Sequence, residues 1–169
     1  MSGSDHFLDK SDPASWRALN GLALKVAESA QQAGLPRSVI ELVNVRISQL
    51  NGCAFCLDMH VRLAKQAGIS DQQLAVLPTW RETAVFSPTE YAALAIGEAA
   101  TELPDREHLR AELAAAKEAL TDEQFSALQW VAVTMNAFNR VSILSGHPVR
   151  RRSAEAAGKA APQKVAVAP

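Results

Sequence analysis

With 169 residues and a formal net charge of −1 at pH 7, the chain is long enough to bury its own core and carries no global field that would gather nucleic acid or an anionic membrane. Its 48% apolar share is rich in Ala and Leu while aromatic residues reach only 5%, a bias toward helices and away from sheets. No run approaches the roughly 18 apolar residues of a membrane span, and the N-terminus lacks the basic start and apolar stretch of a secretory signal, so a cytoplasmic protein that binds neither nucleic acid nor membrane is expected.

Residues 1–11 read as a disordered lead. Asp12-Pro13 reads as an N-cap with proline in the first turn. The helix it opens places Trp16, Leu19, Leu22, Ala23, Val26 and Ala30 on one apolar face. Ala33-Gly34-Leu35-Pro36 stops it. The second helix spans about Pro36 to Leu50. Its apolar positions go most of the way round, which marks a buried central helix, with a strand as the rival because of its β-branched content. Asn51-Gly52 is a tight turn. The third helix runs from about Cys53 to Ala67, and Ser70-Asp71 caps a short fourth one leading to Trp80, read as core or interface packing. Capping boxes at Ser87-Pro88-Thr89-Glu90 and Thr121-Asp122-Glu123-Gln124 open two further helices. The first carries Tyr91, Leu94 and Ala99; the second carries Phe125, Leu128, Val131, Val133, Met135 and Phe138. Pro104-Asp105 opens one between them. Residues 147–169 are basic, Ala/Pro-rich and aperiodic, and read as a disordered tail. The domain, 12–146, is therefore expected to be all-α.

The only two cysteines, Cys53 and Cys56, sit three residues apart. A bridge closing so short a loop adds little stability, so redox or metal chemistry is the better reason for the pair. On a helix, Cys56 and His60 share a face about 6 Å apart along the axis, whereas Cys53 and His60 are roughly 10 Å apart. His60 can thus serve Cys56 and not Cys53. If Asn51-Gly52 turns a helical hairpin, Glu41 comes within about 3 Å of His60 in axial height; rotation is not fixed by spacing. A carboxylate among Ile40, Leu42 and Val43 needs a partner. The first turn of a helix favours a thiolate, and an i, i+3 pair within a helix predicts a mildly strained, easily reduced bridge. A zinc site of Cys53, Cys56, His60 and Glu41, and an inert buried cluster, are the rival readings.

The run Glu41-x11-Cys53-x2-Cys56-x3-His60 resembles the active-site pattern of the alkylhydroperoxidase AhpD family, within the carboxymuconolactone decarboxylase-like superfamily. Leu77-Pro-Thr-Trp80-Arg, Phe86-Ser-Pro-Thr-Glu90 and Asn136-Ala-Phe-Asn139-Arg140 extend the resemblance over roughly residues 12–145. It implies an AhpD-like helical bundle, trimers or hexamers, and a thiol peroxidase without cofactor or metal acting on hydrogen peroxide or organic hydroperoxides. It also implies that Cys56 is peroxidatic, Cys53 resolving, and His60 with Glu41 a proton relay, with an external dithiol as reductant. AhpD tends to carry a histidine between the cysteines, where this chain has Phe55. Asn136, Asn139 and Arg140 are candidates for lining the site or for hydrogen bonding at helix ends. A redox-sensing or disulfide-reductase oligomer and a decarboxylase-like lyase are the alternative functions.

Overall fold

The computed structural model describes residues 6–152, and among these eight α-helices and one 3₁₀ segment carry the fold, with no β-strand. α1 (Leu8–Ser11) is a single turn. α2 (Pro13–Gln32) starts where the Asp12 carboxylate accepts from the N–H groups of Ala14 and Ser15; proline takes the first position, where an N–H would have no helical partner. α3 (Arg37–Asn51) ends at Gly52, whose φ of 67° lets the chain reverse into α4 (Ala54–Gln66). α5 (Asp71–Val76) opens on a Ser70/Gln73 capping box and continues into the 3₁₀ segment Leu77–Glu82. α6 (Pro88–Glu102) and α8 (Asp122–Leu144) begin at the two capping boxes predicted from sequence, and α7 (Arg106–Lys117) is capped by Asp105. None of these helices is long and apolar enough to cross a membrane.

α3 is the axis of the domain. It packs against α4, α6 and α8, and Val39, Ile40, Leu42, Val43, Val45 and Ile47 are all buried. The chain's own helices therefore cover its all-round apolar surface. Truncating Leu42, which is fully buried, to alanine would cost about 2–5 kcal/mol. α6 approaches α3 closely because Gly97 has no side chain: a Cβ there would lie 3.2 Å from Val43 Cγ1. A second tie is ionic. Glu98 on α6 accepts from Trp80 Nε1–H at 2.8 Å, from Arg46 Nε–H of α3 at 2.7 Å and from Arg81 Nη2–H at 3.2 Å. Trp80 is a core residue, 1% exposed, its ring edge-on to Tyr91 at 4.4 Å.

The structure departs from the sequence expectations at both ends of the chain. Part of the expected disordered lead is the helical turn α1, held by the Leu8 N–H donating to Ser145 Oγ at 2.9 Å. Part of the expected tail, residues 147–152, lacks regular secondary structure yet is pinned through His147 to Ser142 and Asp9, and through Arg152 to Asp58. Residues 1–5 and 153–169 lie outside the described residues. Three positions assigned to apolar faces are exposed, Leu22 at 36%, Tyr91 at 39% and Val133 at 52%. In each case an adjacent alanine, Ala23, Ala92 or Ala132, is buried.

Candidate active site

α4 brings the cysteines and the histidine together. Its buried face is Cys56, His60 and Ala64, the i, i+4, i+8 row that turns toward α3. Cys53 is not in the first turn; it is the N-cap, with extended backbone, and its Sγ accepts from the Cys56 N–H at 3.3 Å. The two are joined as a disulfide with a Cα–Cα distance of 5.4 Å, inside the ordinary range. The expectation that both cysteines are helical is not met: Cys53 is extended. Both cysteines are buried, 2% and 3% exposed.

Glu41 and His60 face each other across the α3–α4 hairpin. Both are fully buried, and Glu41 Oε2 lies 2.7 Å from His60 Nδ1. The rotation that spacing left open thus turns the two side chains toward each other. With Glu41 as a carboxylate, which can only accept, Nδ1 carries a hydrogen, and in the neutral ring Nε2 then presents its lone pair. Nε2 is buried with no hydrogen-bond partner among the described residues. The other oxygen of Glu41 pairs with the guanidinium of Arg37, one helical turn upstream on α3. Sequence reasoning missed Arg37, although its i, i+4 spacing from Glu41 was a readable signal.

Above α4 lies a cavity of about 650 Å³, and Cys56 and His60 both line it. Its apolar wall includes Trp16, Met59, Met135 and Phe138, with Trp16 edge-on to Phe138 at 5.5 Å. Its mouth is built from residues that sequence reading had assigned to the disordered ends, among them Phe7, Asp9, Lys10 and His147. The His147 ring stacks on Phe7 at 5.5 Å and meets Phe55 at 5.2 Å.

Asn136, Asn139 and Arg140 serve the turn before Cys53. Asn51 Nδ2–H donates to Asn136 Oδ1 and Asn139 Oδ1, both at 2.9 Å, and Arg140 Nη1–H donates to Asn51 Oδ1 at 3.2 Å. Asn139 Nδ2–H reaches Ser48 Oγ at 3.4 Å. These bonds lock the end of α3 to α8 and so fix where α4 begins. Among the described residues no group of three or more His, Cys, Asp or Glu side chains is placed to hold a metal ion.

Comparisons with known proteins agree with this layout. Residues 13–99 match the carboxymuconolactone decarboxylase family. The chain is 32% identical over 126 residues to the uncharacterized protein YdfG of Bacillus subtilis, covering 75% of this chain and 86% of that one. It is 39% identical over 93 residues to the uncharacterized protein YnjA of Escherichia coli, covering 53% of this chain and 50% of that one. A crystal structure of a protein of unknown function from Agrobacterium tumefaciens, a candidate AhpD antioxidant-defence protein, superimposes with a TM-score of 0.74 at 27% identity, covering 88% of this chain and all of that one. With its central α3, its hairpin into a CxxC helix and these matches, the chain belongs to the carboxymuconolactone decarboxylase family and has an AhpD-like fold.

Proposed function

We propose that the protein is a thiol-dependent peroxidase, reducing hydrogen peroxide or organic hydroperoxides through a Cys53/Cys56 dithiol–disulfide cycle with Glu41 and His60 as proton relay. The observation that carries this reading is the buried Glu41–His60 pair: His60 lines the same cavity as Cys56, and its Nε2 has no hydrogen-bond partner among the described residues. In the reduced protein, Nε2 takes the Cys56 thiol proton, while Glu41 holds the ring in the tautomer that leaves this nitrogen free. The thiolate attacks the terminal peroxide oxygen and the O–O bond breaks. The sulfur becomes a sulfenic acid, and His60 returns the proton to the departing alkoxide or hydroxide, which leaves as alcohol or water. The Cys53 thiol then attacks the sulfenic sulfur; hydroxide leaves with the Cys53 proton as water, and the disulfide forms. An external dithiol reopens it, becoming a disulfide itself and supplying both thiol protons.

In this reading the cytoplasm supplies the dithiol, and the protein works as a homo-oligomer, a trimer or hexamer. The outer face of α8, with Trp130, Val133 and Leu144 exposed, offers the apolar surface for it. A lactone decarboxylase would not need the vicinal pair, and the closed Cys53–Cys56 bond favours redox chemistry over that alternative.

The deciding experiment is consumption of dithiothreitol driven by hydrogen peroxide or cumene hydroperoxide. Cys56→Ser should lose turnover altogether, and Cys53→Ser, given peroxide without dithiothreitol, should stop after one event with one oxygen added to Cys56, seen by mass spectrometry. Full turnover by Cys56→Ser would end the proposal. Slow turnover together with a change of oligomer size on oxidation would point to a redox sensor.

A further inference from the structure

The cavity above Cys56 is far larger than hydrogen peroxide requires. About 650 Å³ is the size of a pocket for an organic molecule of some length, while a water-sized solute occupies roughly 30 Å³. Its wall is apolar and adaptable: Trp16 and Phe138 meet edge to face, and Met59 and Met135 lie beside them, thioether side chains that mould to irregular alkyl groups. Its mouth is charged, and the charge is one-sided. Lys10, Arg62, Arg150 and Arg152 line it against only Asp9 and Asp58, although the whole protein carries a formal net charge of −1. Both carboxylates are already engaged, Asp9 with His147 and Asp58 with Arg62 and Arg152. Lys10, over the Phe7 ring at 4.1 Å, and Arg150 form no ion pair among the described residues. The mouth is a built wall: His147 ties the N-terminal turn to the segment after α8 through Asp9 and Ser142.

We infer that this cavity takes an amphiphile, an apolar chain in the Trp16–Phe138 wall with a carboxylate head at Lys10 and Arg150. Resting on the peroxidase reading, its substrate is then a hydroperoxide of that class, such as a fatty-acid hydroperoxide, with the peroxide group lowered to Cys56. Lys10 and Arg150 are specificity-determining residues; His147 is a positioning residue that holds the mouth in place.

The test uses the full chain and separates the two readings. Calorimetric titration with decanoate and with decanol, below their aggregation limits, compares the same chain with and without the charge. Decanoate should bind about threefold to tenfold more tightly, the range two exposed ionic contacts give. The difference should shrink with added salt and vanish in Lys10→Glu/Arg150→Glu, two exposed positions whose replacement leaves the core intact. Equal binding of the two ligands, or a preference that survives the double substitution, overturns the inference whether or not peroxides are turned over. Decanoate preference without any peroxide turnover supports the ligand chemistry and overturns the peroxidase. With turnover present, a linoleic-acid hydroperoxide should show a higher kcat/KM than its methyl ester.

Discussion

Replacing Glu41 by glutamine probes the proposed relay with the least disturbance of shape. Glu41 and His60 are both fully buried and 2.7 Å apart, so solvent cannot substitute for the lost charge. The glutamine amide oxygen can still accept from Nδ1–H. At His60 what disappears is the difference between a charge-assisted and a neutral hydrogen bond, about 1–1.5 kcal/mol; the ion pair with half-exposed Arg37 is lost as well. If that difference is felt when His60 becomes charged on taking the Cys56 proton, kcat/KM falls about fivefold to twelvefold. Glu41→Ala, which leaves His60 with no acceptor and opens a cavity, should lose more activity and also stability. The assay is the peroxide-dependent oxidation of dithiothreitol, followed with the fold checked by circular dichroism. Wild-type kcat/KM in a folded Glu41→Gln protein would refute the reasoning, because it would mean that the carboxylate charge does not act on His60 during the reaction.

Other outcomes follow from the same geometry. Glu98→Ala strands Arg46 and the Trp80 N–H in the interior; it should cost about 3–5 kcal/mol and lower Tm by roughly 10 °C in thermal unfolding. Activity per folded molecule should stay intact, since neither Glu98 nor its partners line the Cys56 cavity. Gly52→Ala meets no neighbouring atom, but its φ is 67°, so it should cost about 1 kcal/mol as a shift of the urea midpoint at unchanged slope. The Asp105 carboxyl is held below the usual carboxylate range, chiefly by its hydrogen bond with His108, and that bond raises the His108 imidazole above its ordinary value. The stabilisation from His108 is therefore present below the ordinary imidazole range and fades as pH climbs through the raised value. The Asp105 contribution fades as pH drops through the lowered one. The Tm gap between wild type and His108→Ala should accordingly be wider at about pH 6 than at about pH 9; a gap that widens toward high pH would contradict the sign.

Which features were legible in the sequence follows from how local their causes are. The capping boxes at Ser70, Ser87 and Thr121 and the Asp12-Pro13 start rest on contacts within four residues, and their residue types announce them. The His60–Glu41 pair was legible in height, because rise per residue is constant, and undetermined in rotation, because rotation depends on how α3 and α4 pack. The Arg37–Glu41 pair is as local as a cap, four residues apart on α3, and so was legible as well. His147 and Phe7 were out of reach for a different reason. The bond from His147 to Asp9 joins residues 138 apart, and the composition around both resembles that of solvated ends. Val133 and Leu22 sit at helical spacings that suit a core face, but α8 is apolar on its outer side as well and α2 exposes Leu22 and Leu24, and periodicity cannot say which side meets the protein.

The N-cap of α4 joins chemistry to motion. Cys53 occupies a position that serine, threonine or aspartate usually fills, and its sulfur, a weak acceptor, takes the Cys56 N–H. Beside the Leu57 N–H bond to the Cys53 carbonyl at 2.8 Å, the covalent bond between the two sulfurs is the main tie on the first turn of the helix. Reduction removes that tie. In the proposed cycle the turn that carries Cys56 would gain freedom in the dithiol state that meets a peroxide, and would be stapled again once the disulfide closes. The amide of Cys56 should accordingly exchange its hydrogen faster in the dithiol than in the disulfide form.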